Sequence, residues 1–157
     1  MRVEEEYARC VAVLNRTTGE EIESREHDMA ILVVQLGSPR KPKEGVRIGT
    51  VRRPPRGVRK TDYAKLDFYD TWLPQLAPSA GLVAWIKNQP DTPPSWERFE
   101  RRYTRELSSS DNQRLIDLLA VFSRVTNFSF GCYCEDERKC HRSILKKVLA
   151  AHGAITQ

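Results

Sequence analysis

The stretch from Val125 to Gly153 constrains the fold more than any other part of the chain. It opens on Val-Thr-Asn-Phe-Ser-Phe-Gly-Cys-Tyr-Cys and passes through the charged run Glu135-Asp136-Glu137-Arg138-Lys139. It then continues as Cys140-His141-Arg142-Ser143-Ile144-Leu145. The first part alternates at a period of two, so Phe128, Phe130, Cys132 and Cys134 share one face of a strand. Asn127, Ser129, Gly131 and Tyr133 share the other. From about Cys140 the spacing becomes helical, with Ile144, Leu145, Val148, Leu149 and His152 inward and Gly153 as a stop. A strand feeding a helix through a short loop belongs to α/β layers. There, ligands gather at the carboxyl ends of strands and the N-termini of helices. The polar Asn127 and Ser129 predict a strand at a sheet edge, or one with a partly uncovered face.

Upstream, Ala30 to Leu36 is a continuous apolar run, as expected of a strand buried on both faces. Ala8 to Leu14 and Gly45 to Val51 read as two further strands, with Cys10 a core residue of the first. Thr61 to Ala77 lacks periodicity and reads as a loop with at most one helical turn. Ser79 caps a helix through Lys87. Pro90, Pro93 and Pro94 break the chain, and Ser95 caps a second helix, Trp96 to Leu107, with the stripe Phe99, Tyr103, Leu107. A Ser110-x-x-Gln113 box opens a third, to about Arg124, with Leu115, Leu118, Leu119 and Phe122 on one face. The expected class is therefore α/β: a single layered domain over residues 1–157 with a largely parallel, Rossmann-like sheet flanked by helices.

A content of 39% hydrophobic and 30% charged residues excludes a disordered chain. No run approaches the roughly 18–20 apolar residues of a membrane span. The first ten residues carry three glutamates and no apolar core of a signal peptide. Four cysteines without a leader then point to a reducing, cytoplasmic setting, where clustered thiols serve as ligands or redox groups. The net charge of +5 is concentrated. Between Arg40 and Lys60 stand nine basic residues against the single acid Glu44, a local +8 that leaves −3 elsewhere. A basic segment on a mildly acidic body points to an anionic partner. Within it, Arg52, Arg53 and Arg56 surround Pro54-Pro55 and precede Gly57, a rigid turn suited to holding an oxyanion.

Three chemistries fit the two mouths of the C-terminal loop. The first is binding of a phosphate-bearing small molecule or nucleotide by the helix N-terminus, Arg142 and the Arg52, Arg53 and Arg56 turn. The second is thiol chemistry. Cys140 sits at a helix N-terminus near Lys139 and Arg142, which lowers a thiol pKa; Cys134 is placed to resolve an oxidised sulfur, and His141 to move a proton. The third is a metal, zinc or iron, on Cys132, Cys134, Cys140 and His141. No metal is favoured, because along a continuing strand Cys132 and Cys134 stand about 6–7 Å apart. Two adjacent helical residues, as Cys140 and His141 would be, also diverge by about 100°. A nucleic-acid module is the rival of another class, resting on the basic stretch and on Tyr63, Phe68, Tyr69 and Trp72. His27 and His152 read as structural or exposed.

The run Arg47-Ile48-Gly49-Thr50-Val51-Arg52-Arg53-Pro54-Pro55-Arg56-Gly57-Val58-Arg59-Lys60 resembles the signature of the domain-of-unknown-function 488 family, in its YeaO-like branch. Trp72-Leu73, Ala77-Pro78-Ser79 and the helix with Phe99, Arg102-Tyr103 and Glu106-Leu107 continue the likeness in order. The C-terminal Cys132-x-Cys134-Glu135 and Cys140-His141-Arg142-Ser143 resemble the cysteine-containing branch. Val51 stands where that family has Asp and Pro54 where it has Trp, so acid chemistry at that Asp is not implied here. The resemblance implies the fold and the location of a site, and no reaction.

Overall fold

The computed structural model describes residues 30–157. The expected strand at Ala8–Leu14, with Cys10, and His27 lie outside the described residues. Four strands are present among these: β1 (Ile31–Gln35), β2 (Val46–Gly49), β3 (Thr71–Trp72) and β4 (Phe128–Cys132). All pair in parallel, in the order β1-β4-β2-β3. Four helices flank this sheet: α1 (Ala80–Lys87), α2 (Pro93–Leu107), α3 (Ser110–Phe122) and α4 (His141–Ala151). The fold is α/β with a parallel sheet flanked by helices, as the alternation of strand and helix patterns requires.

The edge position expected for the strand at Asn127–Ser129 is overturned. β4 lies between β1 and β2, and all five of its residues are buried. Its register places Phe130 opposite Val33 of β1 and Ile48 of β2. The polar Ser129 is tolerated there because its hydroxyl donates to Glu44 Oε1 at 2.6 Å. Glu44 in turn accepts from Arg47 Nε at 2.6 Å and Nη2 at 2.9 Å, and from the Lys41 amide at 2.9 Å. Arg47 is 0% exposed, and its Nη1 donates to the carbonyls of Ser38 and Asp67. Buried charges persist only when paired and hydrogen-bonded, and this pair is both. Asn127 Oδ1 accepts from the Ala30 amide, which fixes the entry to β1.

The main core packs the sheet against the helices through Ile31, Phe128 and Phe130 from the strands and Phe99, Ile116, Ile144 and Leu145 from the helices. A second cluster at the carboxyl end joins Leu36, Val51 and Tyr69 to Cys132 and Cys140. Gly49 is needed at that end, since a Cβ there would lie 2.4 Å from the Tyr69 ring. Local signals place the helices with small corrections. Ser79 Oγ accepts from the Leu82 amide, as expected. α2 begins at Pro93, not Trp96, with Thr92 at its N-cap. Prolines in the first turn forfeit only amides that have no helical partner, so they start this helix instead of breaking it. In α3 the cap is Ser109, and the buried side is Ile116, Leu119 and Ala120. Leu118 and Phe122, expected inward, are 49% and 45% exposed. With Val121 and Val125 they form an outer apolar stripe of the same period, which spacing cannot tell from the inner one. Between β2 and α1 the chain makes two 3-10 turns (Lys60–Asp62 and Pro74–Leu76) and β3, more structure than the expected single turn.

Burial alone would raise the Glu44 pKa, but the bonds from Arg47, Ser129 and the Lys41 amide outweigh it and hold it at about 2 against an ordinary 4.5. A depressed folded-state pKa gives stability that is complete above the unfolded value and lost as pH falls through the folded one. The unfolding midpoint in urea should therefore drop as pH is lowered from 4.5 towards 2. Glu44→Gln should remove that part of the acid slope. It should also cost about 3–5 kcal/mol at neutral pH, because it leaves Arg47 charged and unpaired.

Candidate functional site

In a parallel sheet all carboxyl ends point the same way, and here the ends of β2 and β4 meet the N-terminus of α4. The strand stops at Cys132, so Cys134 is not its strand neighbour but sits on the turn beyond it. The two sulfurs are 3.7 Å apart, not separated as in a continuing strand. Asp136 Oδ1 accepts from the Arg138 amide and caps a 3-10 turn, Glu137–Lys139, which brings Cys140 back beneath the loop. Cys140 is the N-cap of α4, with an extended φ of −131° and ψ of 146°. It is not helical, so its side chain does not diverge from that of His141, and Cys140 Sγ lies 3.8 Å from His141 Nδ1. The donor atoms of Cys132, Cys140 and His141 all fall within 4.8 Å of one another, so these residues could hold a metal ion.

His141 Nε2 lies 2.7 Å from the Thr50 carbonyl. A carbonyl only accepts, so Nε2 carries the proton, and in the neutral ring Nδ1 presents a lone pair towards Cys140. Thr50 is itself fixed, its hydroxyl donating to the Gly131 carbonyl at 3.0 Å, and the Tyr103 ring packs edge-on against the imidazole. Arg142 is 2% exposed and makes no ion pair with Glu135 or Asp136. It donates from Nε to Cys140 Sγ at 3.4 Å and from Nη2 to the Cys134 carbonyl at 2.6 Å. The buried guanidinium thus faces sulfur.

These contacts set the thiol acidities. Donation from the Cys132 thiol, then from Cys134, holds the Cys140 pKa far below the ordinary range; burial opposes this and His141 adds to it. The bonds from Cys132 to Cys134 and to Cys140, with burial, push the Cys132 thiol up. For Cys134 the Cys132 bond pulls down, but Cys140 and burial outweigh it and its pKa is raised. Among the three sulfurs, Cys140 is the one whose acidity is raised. The buried Tyr69 hydroxyl, in the same cluster, has no hydrogen-bond partner among the described residues.

Above the sulfurs opens a cavity of about 940 Å³. Cys132, Cys134, Cys140 and His141 line it, and so do Arg52, Arg53 and Arg56 of the basic turn. The turn and the cysteine loop therefore meet at one site. The three arginines are not equivalent there. Arg52 donates from Nε to the Pro78 carbonyl at 3.0 Å and from Nη2 to the Ala77 carbonyl at 2.6 Å, so it holds the chain that leads into α1. Arg53 and Arg56 are exposed, and neither side chain has an ion-pair partner among the described residues. Arg142 is not at the cavity wall but behind Cys140. The acids Glu135, Asp136 and Glu137 also lie away from the wall, where Asp136 pairs with Arg138. The remaining walls are apolar, with Val83, Trp96, Phe99, Phe68 and Tyr133 among them. Sequence reasoning missed Val83, Trp96, Phe99 and Tyr133 as site components and singled out Phe68 only for the nucleic-acid alternative. Trp96 and Phe99 repeat at the same helical spacing whether they face a core or a cavity.

A family model described as the active DUF488-N3 subclade matches residues 31–153. The chain belongs to the DUF488 family. In this DUF488 protein the match spans every described strand and helix, and with them both halves of the cavity wall. No curated protein and no solved structure shows a significant match to it. No helix among the described residues of this DUF488 chain is long and apolar enough to cross a membrane.

The division among the arginines is measurable. Arg52→Gln should destabilise the protein by about 2 kcal/mol, the scale of lost charge-assisted bonds to half-buried carbonyls. Arg53→Gln and Arg56→Gln should stay within about 0.5 kcal/mol of the parent in urea unfolding, as exposed substitutions do.

Proposed function

We propose that this protein binds a phosphate-bearing small molecule of the nucleotide class in the cavity between the Arg52–Gly57 turn and the Cys134–Arg142 loop. One observation carries the reading: a single cavity has apolar and aromatic walls and a rim of cations without anionic partners. Val83, Trp96, Phe99 and Tyr133 suit a flat, weakly polar ring system, while Arg53, Arg56 and Lys87 stand where a charged tail would emerge. Guanidinium groups match phosphate oxygens in pairs, and two free arginines on a turn stiffened by Pro54-Pro55 lose little freedom on binding. Lys139 contributes less, since its ammonium already meets Asp91 at 2.5 Å. The chain's charge supports the same reading. Of the basic residues between Arg40 and Lys60, Arg40 pairs with Asp70, Arg47 with Glu44 and Arg59 with Asp62. Arg53 and Arg56 keep their charge for the cavity mouth. A volume of about 940 Å³ accommodates a nucleotide.

Isothermal titration with nucleoside mono-, di- and triphosphates, beside the matching free nucleosides, tests this reading. A phosphorylated member should bind and raise the melting temperature. The Arg53→Gln/Arg56→Gln double variant should weaken it by on the order of 10–100-fold without changing the affinity of the free nucleoside. Equal binding of nucleoside and nucleotide, or no binding by any member, would refute it. Tight binding of long single strands instead, with a steep loss of affinity in salt, would identify a nucleic-acid surface.

A further inference from the structure

The floor of the cavity is the most unusual part of the molecule, and its chemistry differs from that of the rim. Where β4 ends and α4 begins, the donor atoms of Cys132, Cys140 and His141 lie within 4.8 Å of one another, and Cys134 Sγ stands beside Cys132 at the edge of that group. Cys132 Sγ and Cys134 Sγ are 3.7 Å apart, and Cys140 Sγ and His141 Nδ1 are 3.8 Å apart. A tetrahedral zinc ion with Zn–S bonds of about 2.3 Å sets its neighbouring ligand atoms about 3.6–3.8 Å apart. The two measured separations match edges of that tetrahedron. The remaining Cys132, Cys140 and His141 distances, all within 4.8 Å, require closure by no more than about an ångström.

The surroundings supply what such a site needs beyond its ligands. A ligating histidine ordinarily commits its other ring nitrogen to a fixed acceptor, which sets the tautomer. His141 does this with the Thr50 carbonyl at 2.7 Å, so Nδ1 is the nitrogen left for a ligand bond. Sulfur ligands are ordinarily steadied by N–H donors, and Arg142 Nε donates to Cys140 Sγ at 3.4 Å. Charge also balances. Three thiolates, a neutral imidazole and a divalent ion sum to −1, and the buried Arg142, without a carboxylate partner among the described residues, supplies +1. Cys132, Cys140 and His141 are buried, whereas Cys134 is exposed. Three ligands are therefore packed into the protein and the fourth faces the cavity.

We infer that Cys132, Cys134, Cys140 and His141 (through Nδ1) form a tetrahedral zinc site at the cavity floor, in which Arg142 steadies the Cys140 sulfur and the Thr50 carbonyl holds the His141 ring. Soft thiolates with one imidazole select zinc over magnesium or calcium, whose ligands are oxygens. The site does not depend on the nucleotide reading, because it uses none of the rim cations.

The test starts from the full chain, produced without a histidine tag in zinc-supplemented medium. Elemental analysis should find one equivalent of zinc per chain. Replacement by cobalt(II) should give the sulfur-to-cobalt charge-transfer absorption and the intense visible bands of a tetrahedral thiolate site. Stripping the metal should expose three further thiols to a disulfide reagent. Cys140→Ser and His141→Gln should each reduce the zinc content at least tenfold. If either fails to fold, the cobalt spectrum of the parent protein decides alone. Arg53→Gln/Arg56→Gln should retain its zinc, so loss of nucleotide binding in that variant tests the rim and leaves the floor untouched. A folded parent that takes up neither zinc nor cobalt, with all its thiols freely reactive, would overturn the inference. So would a cobalt complex lacking sulfur charge transfer.

Discussion

The buried ion pair of Glu44 and Arg47 ties the sheet together from the amino ends of β2 and β4. Arg47 extends from β2 under the sheet and meets Glu44, the Ser38 carbonyl and the Asp67 carbonyl, while Glu44 reaches across to Ser129 in β4. The loop after β1, the strand β2, the segment before β3 and the central strand β4 are thereby tied to one guanidinium. Asp70 adds a second clasp, accepting from the Arg47 amide at 2.8 Å and from both terminal nitrogens of Arg40. Desolvating such a pair is expensive, and hydrophobic residues of similar volume would serve stability as well. What the ionic version adds is position: through Glu44 it links Arg47 of β2 to Ser129 of β4, its partner in the register. That register places Thr50 under His141.

The same arithmetic separates the two kinds of arginine in the basic stretch. Arg40, Arg47 and Arg52 are consumed by carboxylates and carbonyls and build the frame. Arg53 and Arg56 stand on the frame and are left for a ligand. Behind the sulfurs, Arg142 is spent differently again, on Cys140 and the Cys134 carbonyl. Charge density along the sequence overstates the charge offered to a partner, because carboxylates neutralise Arg40, Arg47 and Arg59 and carbonyls occupy Arg52.

Much of the architecture was legible in the residues. The apolar run at Ala30–Leu36 and the alternation after Asn127 mark buried strands, and Ser79 marks a helix start through its own hydroxyl. The misreadings have a common physical source, which is that a residue's partner is chosen in three dimensions. Ser129 reads as an edge residue until Glu44 is seen beneath it. Leu118 and Phe122 share the helical period of Leu119, and only the position of the sheet decides which stripe is covered. The site shows the same pattern. The stretch Cys132 to Arg142 announces itself, and the proline-stiffened turn does too, but their convergence depends on β2 lying beside β4. The relation between Cys134 and Cys132 turns on where the strand stops, and that between Cys140 and His141 on one extended residue. Neither is visible in spacing.

The strand order carries a consequence for how the protein is made. Among the described strands, β1 and β2 bond to β4 and not to each other. Both are synthesised about eighty or more residues before their shared partner, and the last residues of the chain also join, through Gln157 donating to the Ile31 carbonyl. A nascent chain therefore carries two strands without their central neighbour until β4 has been synthesised. Contacts of such long sequence separation close slowly, and unpaired strand edges invite association in the meantime. Assembly of the sheet, and with it both walls of the cavity, waits for β4, and protection by a chaperone is worth most in the interval before it emerges.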